Sequence, residues 1–145
     1  ANEIDLVLPY KKLQSGDTAA CEQMVSQTAT LTHRHSGSLK VILETGALTD
    51  AQIIQAAQIA ILAGADFLKT STGKIPQVAS LSASALMLDV ITQSKQPVGL
   101  KISGGVRDIA TAQAYIDQAA AKMGADWVRP ENFRICASSL LNELV

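Results

Sequence analysis

The stretch Gly64-Ala65-Asp66-Phe67-Leu68-Lys69-Thr70-Ser71-Thr72-Gly73-Lys74 (GADFLKTSTGK) decides the fold. It reads as a glycine that ends a helix, a short apolar strand, and a loop of small residues with a basic end. Upstream, Thr49 and Gln52 have the spacing of a capping box. Ile53, Ala57, Ala60, Ile61 and Gly64 then fall on one helical face. The triplet recurs at Gly124-Ala125-Asp126, 60 positions later, the length of two βα units of about 30 residues each. The fifth residue after each glycine is basic, Lys69 and Arg129. Ala1-Asn2-Glu3-Ile4-Asp5 fits the same frame with its glycine absent, and Asp5 takes the fifth position. On that frame the chain is expected to start at a helix-to-strand joint, and its first residue, Ala rather than Met, is expected to follow a removed segment.

Working outward, strands are expected at Glu3–Leu8, Leu39–Glu44, Asp66–Thr70, Val98–Ile102 and Asp126–Arg129. Helices are expected near 17–34, 50–63, 81–94 and 109–123, with a short one after Ser138. This alternation predicts βαβ units and a parallel sheet covered on both faces, in a single α/β domain over residues 1–145. Five units account for nearly the whole chain. They fit an open five-stranded sheet, or five-eighths of a barrel whose full form needs eight strands and roughly 250 residues.

Composition narrows the class. The chain has 145 residues, 48% hydrophobic and 17% charged, with net charge −1, enough apolar content for a core. Near-neutral charge argues against a nucleic-acid or membrane-surface binder. No apolar run reaches the roughly 18 residues of a spanning helix. Cys21 and Cys136 match no zinc spacing, and a reduced, cytoplasmic setting is expected. Cys136, Trp127 and Tyr115 read as packing residues. His33 and His35 read as a solvated helix end rather than a metal site.

Three groups of residues could carry chemistry. Lys69 and Lys101 end neighbouring predicted strands, and burial beside a like charge would favour a neutral, nucleophilic amine able to form a Schiff base. The plainer alternative is that each snorkels to solvent. Asp5 is a carboxylate inside an apolar strand, which needs a cation or a proton-transfer role. Lys40 is its simplest structural partner, and Lys40 with Glu44, on the same strand parity, reads as electrostatic support. The loops Thr70–Lys74, Ser103–Arg107 and Ala137–Ser139 follow strands, where parallel α/β folds bind ligands, and their small residues suit an anion. The residues alone indicate a lysine enzyme with a sugar-phosphate-sized anion site and no named substrate.

Together, EIDLVLPY, LKVILETG, GADFLKTSTGK, VGLKISGGVR and RICASSLL resemble the deoxyribose-phosphate aldolase family, in its order and spacing, over the whole chain. The resemblance implies a (β/α)8 barrel of which this chain holds about five units, the fourth to eighth strands. It implies a metal-free, cofactor-free class I aldolase that reversibly cleaves 2-deoxy-D-ribose 5-phosphate to D-glyceraldehyde 3-phosphate and acetaldehyde. By the same resemblance Lys69 is the Schiff-base lysine, Lys101 the second lysine that keeps it neutral, and Asp5 the proton-relay carboxylate. Gly73, Lys74, Gly104, Gly105, Ser138 and Ser139 take the phosphate-binding positions. The expected partner is a small sugar phosphate, with no nucleic acid and no membrane. A homo-oligomer, or association with the missing barrel segment, is expected to cover the strand edges. The chain departs from the family in four places. Ile102-Ser103 stands for the usual Pro-Ala, Cys136 for a glycine, and both the first three βα units and a tyrosine-bearing tail are absent. The alternatives are a non-catalytic sugar-phosphate-binding module and a lysine aldolase for another sugar phosphate.

Overall fold

In the computed structural model, which describes residues 1–136 and 140–143, five parallel strands form one sheet in chain order. They are β1 (Glu3–Val7), β2 (Ser38–Ile42), β3 (Phe67–Lys69), β4 (Gly99–Ser103) and β5 (Phe133–Cys136). The helices between them are α1 (Tyr10–Gln14), α2 (Thr18–Arg34), α3 (Asp50–Leu62), α4 (Leu81–Ser94) and α5 (Ile109–Met123). Each long helix starts on a side-chain cap that satisfies an otherwise orphan N–H: Asp17, Thr49, Ser80 and Asp108. Thr49 and Gln52 form the reciprocal box that their spacing predicts.

Paired residues of neighbouring parallel strands share a face, so the register sorts the side chains. One row runs Asp5, Lys40, Phe67, Gly99, and the row above it Ile42, Lys69, Lys101, Arg134. Alternate residues Leu39, Val41, Leu68, Leu100 and Ile102 are buried beneath the helices and form the core with Val25, Ala57, Met87 and Leu88. One face is therefore apolar and helix-covered, and the other carries nearly all the strand charges.

The sheet is strongly curled. Four strand spacings of about 4.8 Å would hold β1 and β5 some 19 Å apart in a flat sheet. Instead Glu3 on β1 and Arg134 on β5 form an ion pair at 2.6 Å across the concave face. Stepwise parallel pairing, helices outside and a closing inner face are the geometry of consecutive units of a (β/α)8 barrel, incomplete in this chain.

Three expectations are corrected. Asp126–Arg129 is not a strand: Ala125–Trp127 is a 3-10 turn, and the fifth strand lies at Phe133–Cys136. Pro130, just past the expected strand, has no N–H to give a ladder, and Asn132 and Phe133 donate back to the Arg129 carbonyl as β5 begins. The second Gly-Ala-Asp is thus a false repeat, and Arg129 is an exposed residue. Cys136 is exposed and does not pack in the core. His33 is not merely solvated, since its Nε2 lies 2.7 Å from Asp66 Oδ2, which also accepts the Leu39 N–H. Ser138 and Ser139 lie outside the described residues.

Candidate active site

The charges on the concave face are chained rather than scattered. Arg134 Nη1 donates to Glu3 at 2.6 Å, and Lys40 Nζ donates to the other Glu3 oxygen at 2.5 Å. Lys40 Nζ also stands 3.3 Å from Asp5 Oδ1, and Lys69 Nζ donates to Asp5 Oδ2 at 2.8 Å. The order Arg134, Glu3, Lys40, Asp5, Lys69 alternates in sign along its whole length. Phe67 lies under one end of it, with the Arg134 guanidinium carbon 4.5 Å from its ring centre.

Burial explains why the chain is needed. Lys40 is only 2% exposed, and an ammonium in that position requires compensation. Its two carboxylates supply it and are themselves shifted. Hydrogen bonds from Lys40 and then Arg134 hold the Glu3 carboxyl below the usual range. Burial pushes Asp5 upward, but the Lys69 and Lys40 ammoniums outweigh it and leave a net lowering.

Lys69 and Lys101 are register partners on β3 and β4, as their positions in the sequence predict. Lys69 is held by Asp5. Among the described residues Lys101 has no ion-pair or hydrogen-bond partner. The structure therefore brings together Asp5, Lys69 and Lys101, and adds Lys40, which answers to Asp5 as well as to Glu3.

Above these lysines the two glycine loops meet. Thr70 Oγ1 donates to the Ser103 carbonyl at 3.0 Å and accepts the Ser103 N–H at 2.9 Å, so one buried side chain ties the end of β3 to the end of β4. Gly104 and Gly105 follow at φ 87 and 79, and a Cβ on Gly105 would lie 2.6 Å from Val78 Cγ2 in the neighbouring loop. Glycine is needed there on both counts. Among the described residues the backbone N–H groups of Gly73, Gly104 and Gly105 have no hydrogen-bond acceptor, and Lys74 and Arg107 are exposed beside them. That is a set of donors suited to an anion. Among the described residues, no cluster of three His, Cys, Asp or Glu side chains is placed to hold a metal ion.

Two members of the charge chain are not singled out by the sequence reading. Glu3 shares the parity of Asp5, a spacing of two that marks it as facing the same way. Arg134 is hidden because the false repeat draws the last strand onto Arg129.

The family model described as DeoC/LacD family aldolase matches residues 1–142. A protein of Agrobacterium fabrum strain C58, named deoxyribose-phosphate aldolase, is 42% identical over 146 aligned positions covering 100% of this chain and 56% of its own. The solved structure of QR15, an aldolase, superposes with a TM-score of 0.76 at 29% identity, over 99% of this chain and 59% of that one. A crystal structure from Toxoplasma gondii ME49 gives a TM-score of 0.87 at 24% identity, with the same coverage of 99% and 59%, and speaks to the fold. The chain thus spans little more than half the length of the proteins it matches.

Proposed function

Because this chain belongs to the DeoC/LacD family of aldolases, we propose that Lys69 is a Schiff-base nucleophile acting on a sugar-phosphate carbonyl. The proposed reaction is the reversible cleavage of 2-deoxy-D-ribose 5-phosphate to D-glyceraldehyde 3-phosphate and acetaldehyde. The observation that carries this reading is the pairing of Lys69, at the end of β3, with Asp5 at 2.8 Å, beside its register partner Lys101, which has no ion-pair or hydrogen-bond partner among the described residues. A lysine beside a second cationic group, with a carboxylate in proton-transfer range, is the arrangement of an activated amine.

In this reading the Lys69 amine adds to the C1 aldehyde of the open-chain sugar, and the resulting carbinolamine loses water to give an iminium. A base removes the proton of the C3 hydroxyl. The C2–C3 bond breaks, its electron pair passes into the iminium, and C3 leaves as the aldehyde of glyceraldehyde 3-phosphate. Protonation of the enamine carbon and hydrolysis release acetaldehyde and restore the amine. Asp5 and Lys101 are the groups that move these protons. Gly73, Lys74, Gly104 and Gly105 hold the 5-phosphate, with Ser138 and Ser139 as the family's further positions. The reaction needs neither metal nor organic cofactor.

The sheet edges bear on partners. Ile4 and Val7 on the edge strand β1 are each 40% exposed, and such an edge tends to be paired or covered. We propose association with further barrel strands or with a second copy, in a cytoplasmic enzyme. No helix among the described residues is long and apolar enough to cross a membrane. Gel filtration at rising concentration reads the association directly.

Reduction with borohydride in the presence of acetaldehyde or 2-deoxyribose 5-phosphate, followed by peptide mass spectrometry, tests the chemistry. The expected result is one adduct, on Lys69, absent from Lys69→Ala. A folded chain that binds the phosphate ester but forms no adduct would replace this reading with that of a sugar-phosphate-binding module.

A further inference from the structure

Glu44 is a buried acid outside the charge chain just described. It is 2% exposed, and among the described residues it takes part in no ion pair. A buried carboxylate without a cation must be satisfied by hydrogen bonds. Both of its oxygens are committed to one residue. Oε1 accepts the Thr72 N–H at 3.1 Å, and Oε2 accepts the Thr72 hydroxyl at 2.5 Å. Thr72 Oγ1 in turn accepts the Lys74 N–H at 3.0 Å. The hydroxyl thereby passes the constraint from Glu44 to the backbone on the far side of Gly73.

The Glu44 backbone has φ 59 and ψ 56, a left-handed conformation unfavourable for any residue but glycine. That turn sends the chain into the 3-10 segment Thr45–Ala47 and aims the carboxylate across at the loop after β3. Two further contacts hold the same pair of loops together. Thr45 donates its N–H to the Thr70 carbonyl at 2.9 Å. A Cβ on Gly46 would lie 2.4 Å from the Gln77 carbonyl oxygen, so the loops touch backbone to backbone. The loop from Thr70 to Gln77 is therefore held at its start, middle and end by the segment Glu44–Gly46.

We propose that Glu44 is a positioning residue that sets affinity for the phosphorylated end of the substrate by clamping Thr72. The proposal rests on the reading of Gly73 and Lys74 as phosphate-binding residues. Glu44 does not touch Lys69. It orders Thr72 and Lys74 so that the Gly73 N–H, which has no acceptor among the described residues, stays fixed toward the anion. Its loss should weaken recognition of phosphate and spare the reactivity of the amine.

Glu44→Gln keeps the shape but replaces one of the two acceptors with an NH2 donor. The readout is the half-saturating concentration for borohydride trapping on Lys69. For 2-deoxyribose 5-phosphate it should rise about tenfold, the factor set by one charge-assisted hydrogen bond. For acetaldehyde it should stay within about twofold. A change of the same size for both carbonyls, or for neither, overturns the clamp. Should Glu44→Gln fail to fold by circular dichroism, Thr72→Val removes the hydroxyl from the other end and is judged by the same ratio. If the wild-type chain forms no adduct with either carbonyl, the reading of Lys69 has failed, and hydrogen exchange decides the clamp separately. Inorganic phosphate should then slow exchange across residues 70–80 in the wild type and not in Glu44→Gln. Absence of that protection in the wild type, or its persistence in the variant, overturns the proposal.

Discussion

Replacing Lys40 by Met tests whether the alternating charges hold the concave face together. Lys40 is 2% exposed and joins Glu3 at 2.5 Å to Asp5 at 3.3 Å. Removing one member of a fully buried ion pair costs about 3–5 kcal/mol, because the abandoned charge stays buried. The partners here are less enclosed: the Glu3 side chain is 38% exposed and that of Asp5 35%. Water can take up part of each released carboxylate, and Arg134 and Lys69 still hold the other oxygens, so about 2 kcal/mol is expected. For a chain of this size that lowers Tm by roughly 4–8 °C, and at about 1–3 kcal/mol/M it moves the urea midpoint by on the order of 1 M. The cost must also depend on pH. Once Glu3 and Asp5 are protonated, Lys40 becomes a buried ammonium without a counter-charge and Met is the less costly residue, so the gap should shrink and then reverse as the pH falls below about 4. The double variant Glu3→Gln/Lys40→Met should be less destabilised than the two single losses added together. A Lys40→Met chain as stable as the wild type at pH 7, or a gap that does not shrink as the chain is acidified, would refute the argument and leave only a packing effect.

Acid should unfold the chain with a definite sign. Glu3 and Asp5 both have lowered carboxyl pKa values, so the folded chain binds fewer protons than the unfolded one, and stability falls as pH drops below about 4. Glu3→Gln should flatten that slope in denaturation curves taken at pH 3 to 6. Thiol titration should find one fast group in the native chain, the exposed Cys136, and a second only in denaturant, because burial and then the nearby Asp17 push the Cys21 thiol up. Leu100→Ala, which opens a cavity beneath the β4 strand that carries Lys101, should cost about 2–5 kcal/mol in urea titration.

Four of the five strands and all four long helices were legible because each carries its own punctuation. Thr49, Gln52 and Gly64 mark one helix, and apolar runs too short for anything but strands follow. β5 was not legible by the same rule, since Gly124-Ala125-Asp126 copies the signal that precedes β3 while Pro130 withholds the ladder. Lys69 and Lys101 were legible as a pair because register follows from equal offsets within consecutive units. The roles of Glu3 and Arg134 were not, because their meeting depends on curvature, and no local pattern states how far a sheet curls. Lys40 and Glu44 looked equivalent by parity alone. The left-handed turn at Glu44 separates them, sending one acid out of the charge chain and onto the neighbouring loop.

The way the concave face is neutralised bears on which residue is reactive. Six ionisable groups from five strands point into one trough: Glu3, Asp5, Lys40, Lys69, Lys101 and Arg134. Five of them form a sequence of alternating sign in which every charge has an opposite neighbour. A purely structural network would gain most by enclosing the sixth, yet Lys101 stands in register between Lys69 and Arg134 with no counter-ion among the described residues. An uncompensated ammonium flanked by cations is a cost to folding. Under the proposed role of Lys69, that cost is offset by the reaction, in which a second cationic group beside the amine and a carboxylate in proton-transfer range both take part. Stability accounts for Arg134, Glu3, Lys40 and half of Asp5. The other half of Asp5, with Lys69 and Lys101, is what the proposed function assigns to the reaction.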